Sequence, residues 1–196
     1  TIFAEDFAFL KSCTSEAVPK LTIPSPSMMH YPAGRGVDRT VYPDWEMFYA
    51  DLAEIYRQQI EGLAALGCTY LQLDDTSLAF LNDPARRAML GEGAETQHLR
   101  YIRLFNDSVA DRPSDMAICT HLCRGNYKSA WMAEGSYEHV AEALFSSAAT
   151  ATFSMSSALF MLLSPVVCWL RPQTGNGFLV ADIIVDESSG VWRAQE

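Results

Sequence analysis

The sequence predicts an α/β fold built on a parallel sheet, and three observations predict it. Over roughly the first 145 residues, short apolar runs alternate with helix-periodic segments in the order strand, helix, strand, helix, strand, helix. Parallel strands need crossover connections of this kind. The chain has 196 residues, about half of them apolar, which suffices for one domain with a real core. No glycine-rich phosphate loop follows any of the strands, which argues against a dinucleotide-binding fold. A (β/α)8 barrel and a doubly wound sheet both fit this pattern.

The elements follow in order. The run "KLTIPSP", Lys20 to Pro26, alternates briefly and is stopped by prolines, as a strand ending in a loop would be. The loop continues through "AGRG", whose glycines remove any helix preference. Then Trp45, Phe48, Tyr49, Leu52, Ile55, Tyr56, Ile60, Leu63 and Leu66 recur at steps of three and four and form one apolar helix stripe. Asp44 suits its N-cap, and Gly67 sits where it should stop. "CTYLQLDD", from Cys68, reads as a buried strand reaching Asp74, with a polar stretch containing "NDP" after it. Helix signals resume from Gln97 to Val109, with Leu99, Ile102, Phe105 and Val109 on one side. "DRPSD" is a turn, "MAICTH" another apolar strand, and a shorter helix runs from about Tyr137 to Phe145.

Charge and cysteine usage narrow the function. The formal net charge is −10 with no Lys/Arg cluster, which repels phosphate backbones and argues against nucleic acid as a partner. Cys13, Cys68, Cys119, Cys123 and Cys168 are odd in number and irregularly spaced, unlike a disulfide framework. A reduced, cytoplasmic setting is the expectation. The first residues, "TIFAEDFAFLKSC", carry early acids and lack the basic start and long apolar run of a signal peptide. The chain opens on Thr rather than Met, which suits a piece of a longer protein.

Two places could carry chemistry. In "ICTHLCRGN", His121 and Cys123 stand two apart at a strand end, so their side chains aim from one face. An imidazole and a thiolate at the C-terminal tip of a βα strand suit zinc. A buried histidine beside an inert cysteine is the plain alternative, and spacing alone favours it. In "LQLDDTSL", Gln72 and Asp74 share the functional face of a strand while Leu71 and Leu73 point toward helices. An inward carboxylate at Asp74 should meet a cation or several donors, and a substrate ammonium would serve. The alternative there is that Asp75 or Thr76 caps the next turn and Asp74 joins a structural ion pair.

Three weaker sites accompany them. The serines and His30 of "PSPSMMHY" could hydrogen-bond a ligand or simply terminate a loop. Arg124 and Asn126 could take an anionic group or sit in a solvated loop. Trp131 could stack on a flat ligand, but a core role is favoured.

From Ala143 to Leu170 there is no charged residue, and the run has no sustained period. Serines and Pro165 interrupt it, and its densest apolar part falls short of the ~20 residues a membrane span needs. No membrane attachment is expected.

The segments "TIPSPSMMHY", "YLQLDDTSLAFLNDP" and "ICTHLCRGNYKSAWMAEGSYEHVAEALF", with their spacing, resemble the C-terminal catalytic domain of the cobalamin-independent methionine synthase family, especially its short stand-alone homologues. The resemblance covers roughly Asp6 to Phe145. It implies a partial (β/α)8 TIM barrel of the methionine synthase/uroporphyrinogen decarboxylase-like type over residues 1–145. It also implies a zinc-dependent methyltransferase that moves a methyl group from 5-methyltetrahydrofolate polyglutamate to homocysteine. On that resemblance His121 and Cys123 match the H-x-C zinc ligands. Asp74 matches the acid of the Q-x-D motif, which holds the substrate amino group, with Gln72 at the motif's first position.

The family's third ligand, a glutamate on the next strand, would fall near Ser156, where no acid stands. Its fourth, a late cysteine, is not matched by the context of Cys168. Residues 146–196 are therefore expected to be a non-matching tail, as a shifted reading frame or mis-spliced exon would produce. A closed barrel of this type needs about 250 residues. Alkyl transfer to another thiol such as coenzyme M, and a truncated non-catalytic homologue, are the alternatives.

Overall fold

The computed structural model describes residues 1–31, 34–91, 93–124, 126–127 and 130–147, with strands at 152–156, 183–186 and 191–194. It opens with α1 (Ala4–Ser12), an element the sequence pattern does not announce because its one buried residue is Phe7. β1 (Leu21–Pro24) follows and passes into a 3₁₀ turn, Pro26–Met29. α2 (Trp45–Ala65) is the long amphipathic helix expected. The Asp44 carboxylate accepts the Glu46 N–H at 3.1 Å, satisfying a donor the first turn leaves free. Gly67 takes φ +86°, the left-handed conformation that ends a helix with least strain on a glycine.

β2 (Tyr70–Asp75) leads into two short helices, α3 (Ser77–Asn82) and α4 (Pro84–Ala88), where the sequence reads only as a polar stretch. Each is too short to show a helical period. α4 is set by local chemistry instead: Pro84 fills the first turn, and the Asp83 carboxylate caps the N–H groups of Ala85 and Arg86. α5 (Gln97–Val109) and β3 (Ala117–Cys123) follow. A small antiparallel ladder joins β4 (Asn126–Tyr127) to β5 (Ala130–Trp131). α6 (Glu138–Ser147) and β6 (Thr152–Ser156) complete the main unit, and β7 (Ile183–Asp186) pairs antiparallel with β8 (Val191–Ala194).

The main sheet has the order β1-β2-β3-β6 and is parallel throughout. This is the α/β architecture expected. Closure into a barrel is not seen among the described residues. β6 lies in the segment read as a non-matching tail, yet it pairs with β3 over five residues.

The core sits on one face of the sheet. Ile23, Leu71, Leu73 and Ile118 pack against Phe7 of α1, against Leu52, Tyr56, Ile60 and Leu63 of α2, and against Leu104, Phe105 and Val109 of α5. A second cluster joins Leu122 to Leu78, Tyr101, Ile102, Val140 and Leu144. Each fully buried side chain of this size contributes about 1.5–3 kcal/mol, so the apolar face anchors the domain. Among the described residues no helix is long and apolar enough to cross a membrane. Most of the uncharged run lies outside the described residues.

Candidate functional site

Strand alternation builds the site. In β2, Leu71, Leu73 and Asp75 are buried toward the helices, whereas Tyr70, Gln72 and Asp74 stay half-exposed on the other face. In β3, Ile118, Thr120 and Leu122 take the helix side, while His121 and Cys123 are half-exposed opposite them. The parallel register sets Gln72 beside Cys119 and Asp74 beside His121. Residues paired in this way share a face, with strands about 4.8 Å apart. Gln72, Asp74, His121 and Cys123 therefore form one patch at the C-terminal ends of two neighbouring strands. Pro24 of β1 flanks Asp74, Ser154 of β6 flanks His121, and Ser156 flanks Cys123.

A chain of hydrogen bonds orders the patch. The Lys20 ammonium donates to Gln72 Oε1, and Gln72 Nε2 donates to Asp74 Oδ1 at 2.5 Å. Lys20 also lies 5.2 Å from the centre of the Tyr70 ring. The lysine thereby fixes which way the Gln72 amide points: its oxygen is taken, so its NH₂ must face Asp74. Asp74 receives this one neutral donor and, among the described residues, no cation. Lys20 was not singled out from the sequence. Its signal is its place two residues before Thr22, in the alternating run that leads into β1.

Cys119, on the same face, is closed off, with Sγ 3.7 Å from Gln72 Oε1. Burial pushes its thiol pKa up, against the pull of Lys20. Cys119 is therefore protonated and unreactive at neutral pH.

The neighbouring acid has the opposite role. Asp75 is 2% exposed and turned toward the helices. Its carboxylate accepts from Ser27 Oγ (2.5 Å), Ser77 Oγ (2.7 Å) and Leu78 N (3.0 Å). It caps α3 and ties the 3₁₀ turn to it. The serines and His30 of "PSPSMMHY" belong to this inner layer rather than to a ligand site. Ser25 and Ser27 are buried, and His30 Nδ1 meets the Tyr101 hydroxyl at 2.8 Å. Burial, then Arg39 and Arg100, lower the His30 pKa to about 4.

Trp131 corrects its expected core role. It is 42% exposed, and the Arg124 guanidinium lies 4.7 Å over its ring. A two-strand ladder offers no deep core to fill, so the indole packs on the cation instead. Nearby, Tyr137 has its hydroxyl pKa pushed up to about 12 by burial. The side chain of Asn126 and the whole of Cys168 lie outside the described residues.

Among the described residues no three His, Cys, Asp or Glu side chains converge on a point that could hold a metal. His121 and Cys123 offer one imidazole and one thiol, half-exposed and two residues apart on the same strand face.

Fold and patch together describe an α/β chain whose parallel sheet presents one polar face at its strand tips, and this architecture is similar to that of methionine-synthase-like proteins. No family model matches the chain. It is 43% identical over 142 residues to the uncharacterized protein YxjH of Bacillus subtilis (strain 168), a match covering 71% of this chain and 37% of YxjH. Over 80 residues, 41% of this chain and 22% of the relative, it is 34% identical to the methionine synthase of Pyrococcus abyssi (strain GE5 / Orsay). A solved structure from Listeria monocytogenes, a candidate vitamin-B12-independent methionine synthase, superposes with a TM-score of 0.62 at 36% identity. That match covers 78% of this chain and 43% of the other. The chain thus spans little more than a third of the first curated relative it matches.

Proposed function

We propose that this chain forms part of a methionine-synthase-like (β/α)8 barrel that transfers a methyl group from 5-methyltetrahydrofolate to the sulfur of homocysteine. The observation that carries the reading is the register of Asp74 beside His121, with Cys123 two residues on, all on the open face at the strand tips. The similarity to a methionine synthase and to the Listeria structure supports it.

The residues divide the work. Asp74 accepts the substrate ammonium, and Gln72, held by Lys20, orients the receiving carboxylate. His121 and Cys123 would hold Zn²⁺. That ion, when bound, supplies the positive charge that keeps a substrate thiol deprotonated near neutral pH. Asp74 and His121 stand on adjacent strands, so an amino group bound at one lies within a small molecule's length of the other. That spacing suits a short amino-acid thiol. Methyl transfer asks for alignment and exclusion of water more than for a general base, and the patch offers no buried base.

A second reading has its own observation. No third metal donor converges among the described residues, and Ser156 stands where the resemblance places a glutamate. On that basis the chain would be a non-catalytic homologue. One experiment separates the two: metal content of the purified chain, followed by methyl transfer from methyltetrahydrofolate to homocysteine. One zinc per chain with turnover supports the transferase. Zinc-free protein without turnover refutes it and leaves the non-catalytic reading. His121→Ala and Cys123→Ser should each remove the zinc held at this patch, and unchanged metal content in both would overturn their assignment.

A further inference from the structure

Away from this patch, two histidines meet in the helical layer. His98 is the second residue of α5 and His139 the second of α6. Their rings lie 4.6 Å apart, centre to centre, at 64°. His98 Nδ1 and His139 Nε2 are both buried, and neither has a hydrogen-bond partner. His98 as a whole is only 8% exposed. A buried ring nitrogen left without a partner costs about 1–3 kcal/mol, and here two such nitrogens occur in adjacent rings that do not bond to each other.

We propose that His98 and His139 form a second metal site, a two-imidazole site for a borderline divalent transition ion such as Zn²⁺, Ni²⁺ or Co²⁺. The geometry fits. Were the two free nitrogens turned toward one ion at about 2.0–2.1 Å, ring centres at this separation would subtend roughly 90–95° at it. That is a cis arrangement. Burial lowers the pKa of both rings, helped at His98 by His139 and then Arg87 and at His139 by Arg87, so both are neutral and able to ligate at pH 7.

The surroundings add to this. The carbonyl and the carboxylate of Glu95 both act on the two rings and favour positive charge there. Metal-bound histidines commonly direct their second nitrogen at such a carbonyl. The Glu95 carboxylate now pairs with Arg87 Nε at 3.0 Å and is exposed enough to rotate toward an ion. A bound ion would clamp the first turn of α5 to the first turn of α6. In βα units those turns lie at the same end of the sheet as the strand tips.

The test uses the full chain with the other candidate centre removed, as the double variant His121→Ala/Cys123→Ser. Zn²⁺ or Ni²⁺ is titrated by calorimetry, and Tm is measured with and without the ion. We expect one equivalent to bind and Tm to rise. Adding His139→Gln should weaken binding roughly tenfold or more and remove the rise in Tm. His98→Gln should do the same. If the deeply buried His98 variant fails to fold, the half-exposed His139 variant still decides the matter. The Co²⁺ complex of the double variant should show d–d bands without thiolate-to-metal charge transfer, since no cysteine is involved. Absence of binding, binding unchanged by His139→Gln, or a thiolate band would each overturn the proposal.

Discussion

The two faces of the main sheet obey one strand geometry and carry opposite chemistry. Toward the helices stand Ile23, Leu71, Leu73, Ile118 and Leu122, each at most 5% exposed. On the other side stand Gln72, Asp74, His121 and Cys123, all half-exposed. A residue's parity in the strand therefore decides whether it packs against the helices or stays on the open face, and the pair Asp74–Asp75 shows the rule at its sharpest. Asp75, on the scaffold face, has its carboxylate filled by two serine hydroxyls and a backbone amide. Asp74, one residue earlier, holds a single amide donor and keeps acceptor capacity for something else.

The comparison breaks first if the scaffold face tolerates damage. Leu73→Ala removes a side chain with no exposure from the centre of β2. It should cost about 2–5 kcal/mol, the range for a buried leucine whose site cannot collapse. Urea unfolding followed by circular dichroism measures this. A loss under about 1 kcal/mol would show that the helices do not hold this face as described.

The next effect comes from acid. His30, packed under α2 and α5 against Tyr101, titrates near 4 rather than 6.5, chiefly because it is buried and secondly because of Arg39 and Arg100. The unfolded chain takes up this proton below about 6.5, and the folded chain only below about 4. The neutral-state advantage is thus complete above 6.5 and is lost as pH falls toward 4. The slope is at most ~1.4 kcal/mol per pH unit and the total about 3 kcal/mol. Burial shifts His98 and His139 in the same direction. Stability measured at pH 7.5, 5.5 and 4.5 should decline, and His30→Gln should flatten the decline. A pH-independent parent would contradict the buried neutral ring.

Asp44→Ala gives a smaller change. Loss of the cap on the Glu46 amide should cost about 0.5–2 kcal/mol, with the folded spectrum retained. The cap could be read directly, because an acid before a long apolar stripe satisfies donors that the first turn cannot. The period of three and four placed α2 and α5, and the period of two placed Leu71 and Leu73 against Gln72 and Asp74. What periodicity could not reach was set by single contacts. α1 buries only Phe7. α3 and α4 are shorter than two helical turns. Trp131 looks like a core residue by type, yet lies on a ladder too small to enclose it. At the patch, residue types and spacing put Asp74, His121 and Cys123 on one face, but spacing alone favoured a structural role for the last two, and only the family resemblance turned them into candidate ligands. The Lys20–Gln72–Asp74 chain needed three dimensions, because Lys20 is 52 residues away in sequence from the amide it locks.

The smallest expected change in stability belongs to the open face, and there the contrast is sharpest. Asp74→Asn keeps the shape and can still accept the Gln72 amide, and His121→Ala removes a half-exposed ring with no cavity-forming neighbours in either core cluster. Each should move the unfolding free energy by no more than about 0.5 kcal/mol, as surface substitutions do. Lys20→Met belongs with them on stability but not on chemistry. Without the ammonium the Gln72 amide is free to flip, and its oxygen then faces the Asp74 carboxylate instead of its NH₂. If homocysteine binding is lost in Asp74→Asn and weakened in Lys20→Met while urea midpoints stay within error of the parent, the open face is a binding surface and not part of the scaffold. Loss of more than about 2 kcal/mol in any of the three would place these residues with Leu73 and erase the distinction between the faces.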